Sequence, residues 1–338
     1  MKKKNSFFIL LACLFALSAC ENEVDLTAEY VDTTVIYGLL DVNEDTQFVK
    51  VNRAFLEENT NALQLAQDPD QLFYSDITVR LVDLSNNQAD TLNTVQKPKE
   101  EGIFTTEKNI VYFTTNPIFA GRGYRLEVVK SDGQITSGRT IALDTVQIQN
   151  PNLNPASINK SVSLTRNNGQ TIKPDAKLTF RHSERIAEFK VDLIFFYTEV
   201  FPNGAEEVKY VRVPISTVVN RDLREEEVTV EFNADKFYQA IANSIDPNNQ
   251  NPKEIDGNSN LIFDIYAADV DFDFYREING PLDGIAQVRP EYTNIENGIG
   301  LFASRSHVFA YSNLRDESRE RIRTIDPRTS NLNFVPKN

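Results

Sequence analysis

The chain has no cysteine after position 20, no tryptophan, and no methionine other than Met1. A body without cysteine has no disulfide and no thiol chemistry, so its stability must come from a hydrophobic core. The 22 phenylalanines, together with Leu, Ile and Val, must supply the volume of that core. A chain of 338 residues is long enough to bury a core of this kind, in about two domains.

Histidine is nearly absent, and no metal site is predicted. His182 and His307 are the only two histidines, and neither has another His or Cys at ligand spacing. Because zinc sites usually need three or four protein ligands, we expect structural roles for both. The sequence also lacks a Gly-x-Gly-x-x-Gly loop, a Gly-x-Ser-x-Gly elbow and a His-Glu-x-x-His motif, so no catalytic residue and no cofactor is predicted.

Positive charge is in deficit. The chain has 35 Lys and Arg against 49 Asp and Glu, a net charge of −14, and loss of Lys2, Lys3 and Lys4 would bring it to about −17. The phosphate backbone repels such a chain, so no nucleic-acid partner is predicted. No apolar run reaches 18 residues, so no membrane-spanning helix is predicted either.

The first 20 residues have the order of a bacterial lipoprotein signal. Lys2–Lys4 form a basic start, and Phe7–Leu17 is an apolar segment too short to span a bilayer. The sequence Leu17-Ser18-Ala19-Cys20 then places a cysteine directly after small residues, as in a lipobox. The pattern predicts a signal peptide at 1–19 and a lipid on Cys20 that anchors the protein to a membrane. The alternative is an ordinary secreted protein with a chance cysteine.

After an acidic tether at 20–31, short segments of alternating polar and apolar residues follow one another. Such alternation is typical of half-buried strands, and turn signals separate the segments about every 8–12 residues. The sequence therefore predicts a mainly β protein that begins with an immunoglobulin-like β-sandwich at 32–148.

A second β-rich domain is predicted at 156–325, after a break rich in Pro and Asn at 149–155 and before a C-terminal tail at 326–338. Asn203-Gly204 is typical of a β-hairpin. The best helix of the body is expected at 234–245, where Phe237, Tyr238, Ile241 and Ile245 share one face.

Three aspartates, Asp269, Asp271 and Asp273, alternate with apolar residues. Such a run can supply calcium ligands, but the glycine and the later glutamate of a calcium loop are missing. A helix start explains the carboxylates more simply through the helix dipole, with Phe272, Tyr275 and Ile278 on a buried face. We expect the helix.

The segment Asn294–Phe302 is the densest motif after the lipobox. Asn297-Gly298 favours a tight turn, with a positive φ at Gly298, which feeds a core strand. Alternation would then place Ile299 and Leu301 on one face and Phe302 on the other. The alternative makes Asn294 and Glu296 contacts to a ligand or partner.

Four parts of the chain match the pattern of one known family. They are the lipobox ending at Cys20, the strand Val35–Asp41, the segment Asp273–Arg276 and the motif Asn294–Gly300. On these residues the chain resembles a family of Bacteroidota outer-membrane lipoproteins of uncharacterised function. Members often accompany TonB-dependent transporters, and the family offers no catalytic residues to carry over. The acidic tether resembles the export signal that sends lipoproteins of this phylum to the cell surface.

Three functions follow as hypotheses. The first is a non-catalytic binding or accessory module, anchored by lipid, that partners an outer-membrane β-barrel of the TonB-dependent kind in uptake or assembly. The second is a surface adhesin or structural lipoprotein. The third is an envelope hydrolase that uses paired carboxylates, which stays open because 49 acidic residues make chance pairs easy.

Overall fold

The computed structural model describes residues 32–54, 67–98, 108–152, 161–219, 227–279 and 292–337. The signal peptide, Cys20 and the tether at 20–31 lie outside these residues. In the part of the chain that is described, no helix has both the length and the apolar character needed to cross a membrane.

The protein is mainly β, as predicted. The strands of the first part are β1 (Thr33–Asp41), β2 (Gln47–Ala54), β3 (Ile77–Asp83), β4 (Gln88–Thr91), β5 (Asn93–Gln96), β6 (Ile110–Thr114), β7 (Gly123–Lys130), β8 (Ile135–Ile141) and β9 (Gln147–Asn150). The strands of the second part are β10 (Ser161–Val162), β11 (Thr165–Arg166), β12 (Thr171–Ile172), β13 (Ala176–Arg181), β14 (Ile186–Val200), β15 (Glu206–Val219), β16 (Glu227–Phe232), β17 (Lys253–Ile255), β18 (Leu261–Asp269), β19 (Ile295–Glu296), β20 (Gly298–Leu314) and β21 (Phe334–Pro336). The helices are α1 (Pro69–Leu72), α2 (Asp235–Ser244), α3 (Val270–Asn279) and α4 (Asp316–Glu320), which continues as a π-helix (Arg321–Ile325).

The first part is a β-sandwich. One sheet runs β20-β1-β2-β6-β5, and the facing sheet runs β19-β8-β7-β3-β4. Inward residues of both sheets form one core, exemplified by Ile36 on β1, Val49 on β2 and Leu126 on β7. This core also contains Ile295 and Phe302, which come from the far end of the chain.

Strand β20 joins the two parts of the molecule. Its first half pairs in parallel with β1, from Gly298 to Arg305, and its second half pairs antiparallel with β18, from Arg305 to Ser312. One sheet of the sandwich is therefore continuous with the large sheet of the second part, and together they form a single sheet of eleven strands among the described residues. The division of the chain into domains at 32–148 and 156–325 stays a prediction. The structure adds that β20 contributes residues to both cores.

The second part packs one face of β15, β14, β18 and β20 against a smaller sheet and a helix. The smaller sheet has the order β16-β13-β9, and α2 contributes Phe237, Tyr238 and Ile241. These side chains meet Phe195 and Phe263 from the large sheet in a second core. The predicted helix at 234–245 is thus confirmed as α2, and its predicted apolar face is buried.

The aspartate run begins a helix, as predicted. Asp269 accepts a hydrogen bond from the backbone N–H of Phe272 at 2.9 Å and so caps α3. The prediction that this helix buries one face is wrong, because Phe272, Tyr275 and Ile278 are only half-buried. Phe272 and Tyr275 border a groove rather than a core.

The predicted turn before β20 exists, but its strained positions differ from the prediction. Positive φ occurs at Asn297 (57°) and Gly300 (116°), not at Gly298. Gly298 is required for space instead, because a Cβ there would lie 2.6 Å from the carbonyl oxygen of Thr34. As predicted, Phe302 points away from Leu301: Phe302 enters the sandwich core, whereas Leu301 lines the groove.

Candidate functional site

The large sheet has an outer face, opposite the second core. Strand register places Arg212, Ile194, Ile262 and Tyr311 in one row across β15, β14, β18 and β20. The next row along the strands holds Pro214, Asp192, Asp264 and Phe309. Side chains alternate across a sheet, so these rows share the outer face while their chain neighbours fill the core.

Aromatic side chains that stay exposed stand on this face. Tyr210, Tyr311 and Phe309 are 63%, 61% and 49% exposed, and Tyr210 lies beside Phe196 with ring centroids 6.1 Å apart. We call Phe196, Tyr210, Phe309 and Tyr311 the aromatic strip. Soluble proteins rarely leave several large aromatics exposed on one surface unless the surface binds something.

Charged residues form a belt beside the strip. Arg212 Nη1 donates to Asp192 Oδ2 at 2.8 Å and to Asp264 Oδ2 at 2.5 Å. His307 Nε2 lies 2.7 Å from Asp264 Oδ1, and its ring stacks on Tyr266 with centroids 3.9 Å apart. These contacts fix Arg212 and His307 between the aromatic residues.

The belt contains a pair of carboxylates, and the hypothesis of a hydrolase that uses paired carboxylates stays open. Asp192 and Asp264 are directly opposite each other in the sheet, and both are buried. Hydrogen bonds to both carboxylates raise the pKa of Arg212, so its guanidinium bridges the pair as a cation.

A groove opens on the same face, between α3 and strands β1, β2 and β20. Its volume is about 480 Å³. Its apolar lining comes from Tyr37, Leu39, Phe48, Phe272, Tyr275 and Leu301. Its polar lining includes Asp41, Glu44 and Arg305. An apolar cleft of this size with a few polar groups is typical of small-ligand sites.

Helix α3 is fixed over the sheet by contacts at its start and along its length. Tyr275 Oη donates to Tyr37 Oη at 3.2 Å, and the two rings meet edge to face at 6.0 Å. The pKa of Tyr275 is raised to about 12, mainly by burial and to a smaller extent by this hydrogen bond. Arg276 forms an ion pair with Glu188 at the start of β14. The groove therefore exists before any ligand arrives.

The two predicted contact residues, Asn294 and Glu296, lie away from the groove and the aromatic strip, at the edge of the sandwich where β19 pairs with β8. Asn294 Nδ2 donates to the carbonyl of Phe302 at 2.8 Å, and Asn294 Oδ1 accepts the N–H of Phe302 at 2.9 Å. Glu296 accepts from Ser137 Oγ at 3.1 Å. Asn294 thus imitates a neighbouring strand, and a role for Asn294 and Glu296 in binding a partner stays a prediction.

Sequence reasoning missed the aromatic strip and Arg305. The alternation of β15 carried a usable signal, because burial of Val211 and Val213 requires Tyr210 and Arg212 to face outward. Arg305 carried none, since its place in the groove depends on pairing between the two ends of the chain. Within the described ranges, no three His, Cys, Asp or Glu side chains come together as metal ligands.

Comparisons with known proteins add little to this geometry. No family model and no curated protein matches the chain. Among solved structures, it is similar to the C-terminal globular domain of an oligosaccharyltransferase from Pyrococcus abyssi, with 12% identity and a TM-score of 0.21. The similar region covers 60% of this chain and 40% of that chain. At this TM-score the similarity carries no argument about fold or function.

Proposed function

We propose that this protein is a non-catalytic binding module, anchored at the outer membrane by a lipid on Cys20, which docks a protein partner on its aromatic strip. The observation that carries the proposal is the exposure of Tyr210, Phe309 and Tyr311 on one face of the large sheet. The partner that fits the lipobox and the family resemblance is an outer-membrane β-barrel of the TonB-dependent kind.

The composition of the strip supports protein docking. Tyrosine, phenylalanine and arginine are enriched where protein interfaces are tightest, and a few such residues carry most of the binding energy. Arg212 stands in the same row as Tyr311 and keeps 41% of its side chain exposed, although it pairs with two buried carboxylates. A partner would therefore meet a guanidinium that is already held in place by these ion pairs, which reduces the entropy lost on binding.

The experiment is affinity purification of the tagged, full-length protein from detergent-solubilised outer membranes. The double variant Phe309→Ala/Tyr311→Ala is compared with Ile135→Ala/Ile141→Ala, a matched pair of exposed apolar residues on β8 of the other sheet. We expect the wild type and the β8 variant to retain a stoichiometric barrel protein and the strip variant to lose at least tenfold of it.

Equal recovery from all three proteins would contradict docking on the strip. Recovery of a second copy of this chain, rather than another protein, would make the strip a self-association surface. The anchor is tested separately: a Cys20→Ala protein that still fractionates with membranes, together with a wild type lacking acyl mass, would refute it.

A further inference from the structure

One arginine, Arg305, lines the groove beneath α3. Arg305 is 37% exposed, and none of its guanidinium nitrogens donates to a described residue. Among the described residues, Arg305 pairs with the carboxylate of Asp41, with Nε 3.3 Å from Oδ2 but outside hydrogen-bond geometry. A guanidinium has five donors arranged in a fork that matches a carboxylate. Nε is buried beside Asp41, so the two terminal nitrogens of Arg305 are the donors available to an anionic group that enters the groove.

The groove also carries negative charge. Asp41 is 1% exposed, and Glu44, with 47% of its side chain exposed, lies near enough to influence Asp41 electrostatically. A phosphate with two charges would be repelled by this pair, and a simple cation would be repelled by Arg305. A ligand with one positive and one negative group can place each group beside a residue of opposite charge and so avoids both repulsions.

Apart from Thr46 and Gln47, the remaining lining is apolar, and it is partly open. Tyr37 and Phe48 keep 44% and 38% of their surface exposed, although both side chains border the groove. Aromatic rings of this kind bind apolar side chains over a large area. The volume of about 480 Å³ lies within the range of about 300–1,000 Å³ that small-ligand sites occupy.

We propose that the groove binds a small zwitterion with apolar side chains, an amino acid or short peptide with free ends. Arg305 receives the terminal carboxylate, Glu44 receives the ammonium group, and the rings of Tyr37 and Phe48 receive the side chains. This site shares no residue with the aromatic strip, so the proposal can be tested independently of protein docking on the strip.

The test is isothermal titration calorimetry on the purified full-length protein with the dipeptide Leu-Phe. Two further probes are N-acetyl-Leu-Phe-amide, which lacks both charges, and maltose, which offers hydroxyl groups without charge. The main variant is Arg305→Lys, which keeps a cation beside Asp41 but loses the fork. Glu44→Gln tests the ammonium contact at an exposed position, and Arg122→Lys is the matched control, at an arginine 39% exposed that pairs with Asp83 outside the groove.

We expect the free dipeptide to bind with a dissociation constant below about 1 mM and the blocked dipeptide and maltose to bind at least tenfold more weakly. Arg305→Lys and Glu44→Gln should each weaken dipeptide binding about tenfold or more, because hydrogen bonds to charged groups are the strong ones. Arg122→Lys should bind as the wild type does. Absence of dipeptide binding at millimolar concentration, equal binding of the blocked form, preference for maltose, or an unaffected Arg305→Lys protein would each overturn the proposal.

Discussion

The pairing of the last long strand with the first is tested most sharply by Gly300→Ala. Gly300 has a φ of 116° and lies opposite Ile36 in the parallel pair of β20 and β1. A Cβ at this position would lie 2.0 Å from the carbonyl oxygen of Ile36. The obstacle is backbone, so it cannot be relieved by rotating a side chain.

Two costs add in this variant. The backbone conformation costs an L-residue about 1–2 kcal/mol. Forcing the two strands apart adds about 1–3 kcal/mol, as overpacking does in other cores. The sum of about 2–5 kcal/mol corresponds to a fall in melting temperature on the order of 10 °C for a domain of this size.

The assay is thermal unfolding followed by circular dichroism, with Gly133→Ala as the matched control. Gly133 has a φ of 85°, but a Cβ there would meet nothing within 4 Å. The control should therefore pay the conformational cost alone, about 1–2 kcal/mol, and melt closer to the wild type. If the two variants melt at the same temperature, the close approach of β20 to β1 is refuted.

Three further predictions concern stability. Phe302→Ala should cost about 3–5 kcal/mol in denaturant unfolding, because Phe302 is fully buried in the sandwich core; Phe309→Ala, on the exposed side of the same strand, should cost under about 1 kcal/mol, and equal costs would contradict the assignment of faces. Burial raises the pKa of Asp269 to about 6, so between pH 6 and pH 4 the folded protein binds a proton that the unfolded chain does not, and the stability of the wild type relative to Asp269→Asn should rise by up to about 3 kcal/mol as the pH falls. A constant difference across that range would contradict this. Burial opposes ionisation of Glu199, but hydrogen bonds from Lys209, Asn249 and Asn251 outweigh it and lower the pKa of Glu199 to about 2. Glu199→Gln should therefore cost about 3 kcal/mol at pH 7, and this difference from the wild type should shrink as the pH falls from 4.5 towards 2; a difference that persists at pH 2 would show that the ion pair is not its source.

Local patterns predicted most of the elements but not the way in which they assemble. The strand expected after Asn297-Gly298 is β20, and the apolar face of α2 followed from the spacing of Phe237, Tyr238 and Ile241. The short strands β4, β17 and β21 carry too few residues for a period to be recognised. These strands exist because neighbouring strands offer hydrogen bonds, which a local pattern does not record.

The candidate site was harder to predict because it is built from distant segments. The groove combines residues 37–48 with residues 272–305, which the parallel pairing of β1 with β20 brings together. The sequence offers Asn294 as a candidate contact to a ligand or partner, and the structure adds that its amide hydrogen-bonds both backbone groups of Phe302. A side chain that satisfies backbone groups cannot be told from a ligand contact by residue type alone.

The central claim, a binding module that docks a partner on its outer face, is tested most directly by photo-crosslinking in living cells. A photo-reactive phenylalanine analogue replaces Tyr311 in one strain, Tyr210 in a second and Ile135, on the opposite sheet, in a third. The account predicts one adduct of defined mass from positions 311 and 210, identified as an outer-membrane barrel protein, and none from position 135. Adducts of equal yield from position 135, or no adduct from either position on the strip, would contradict it.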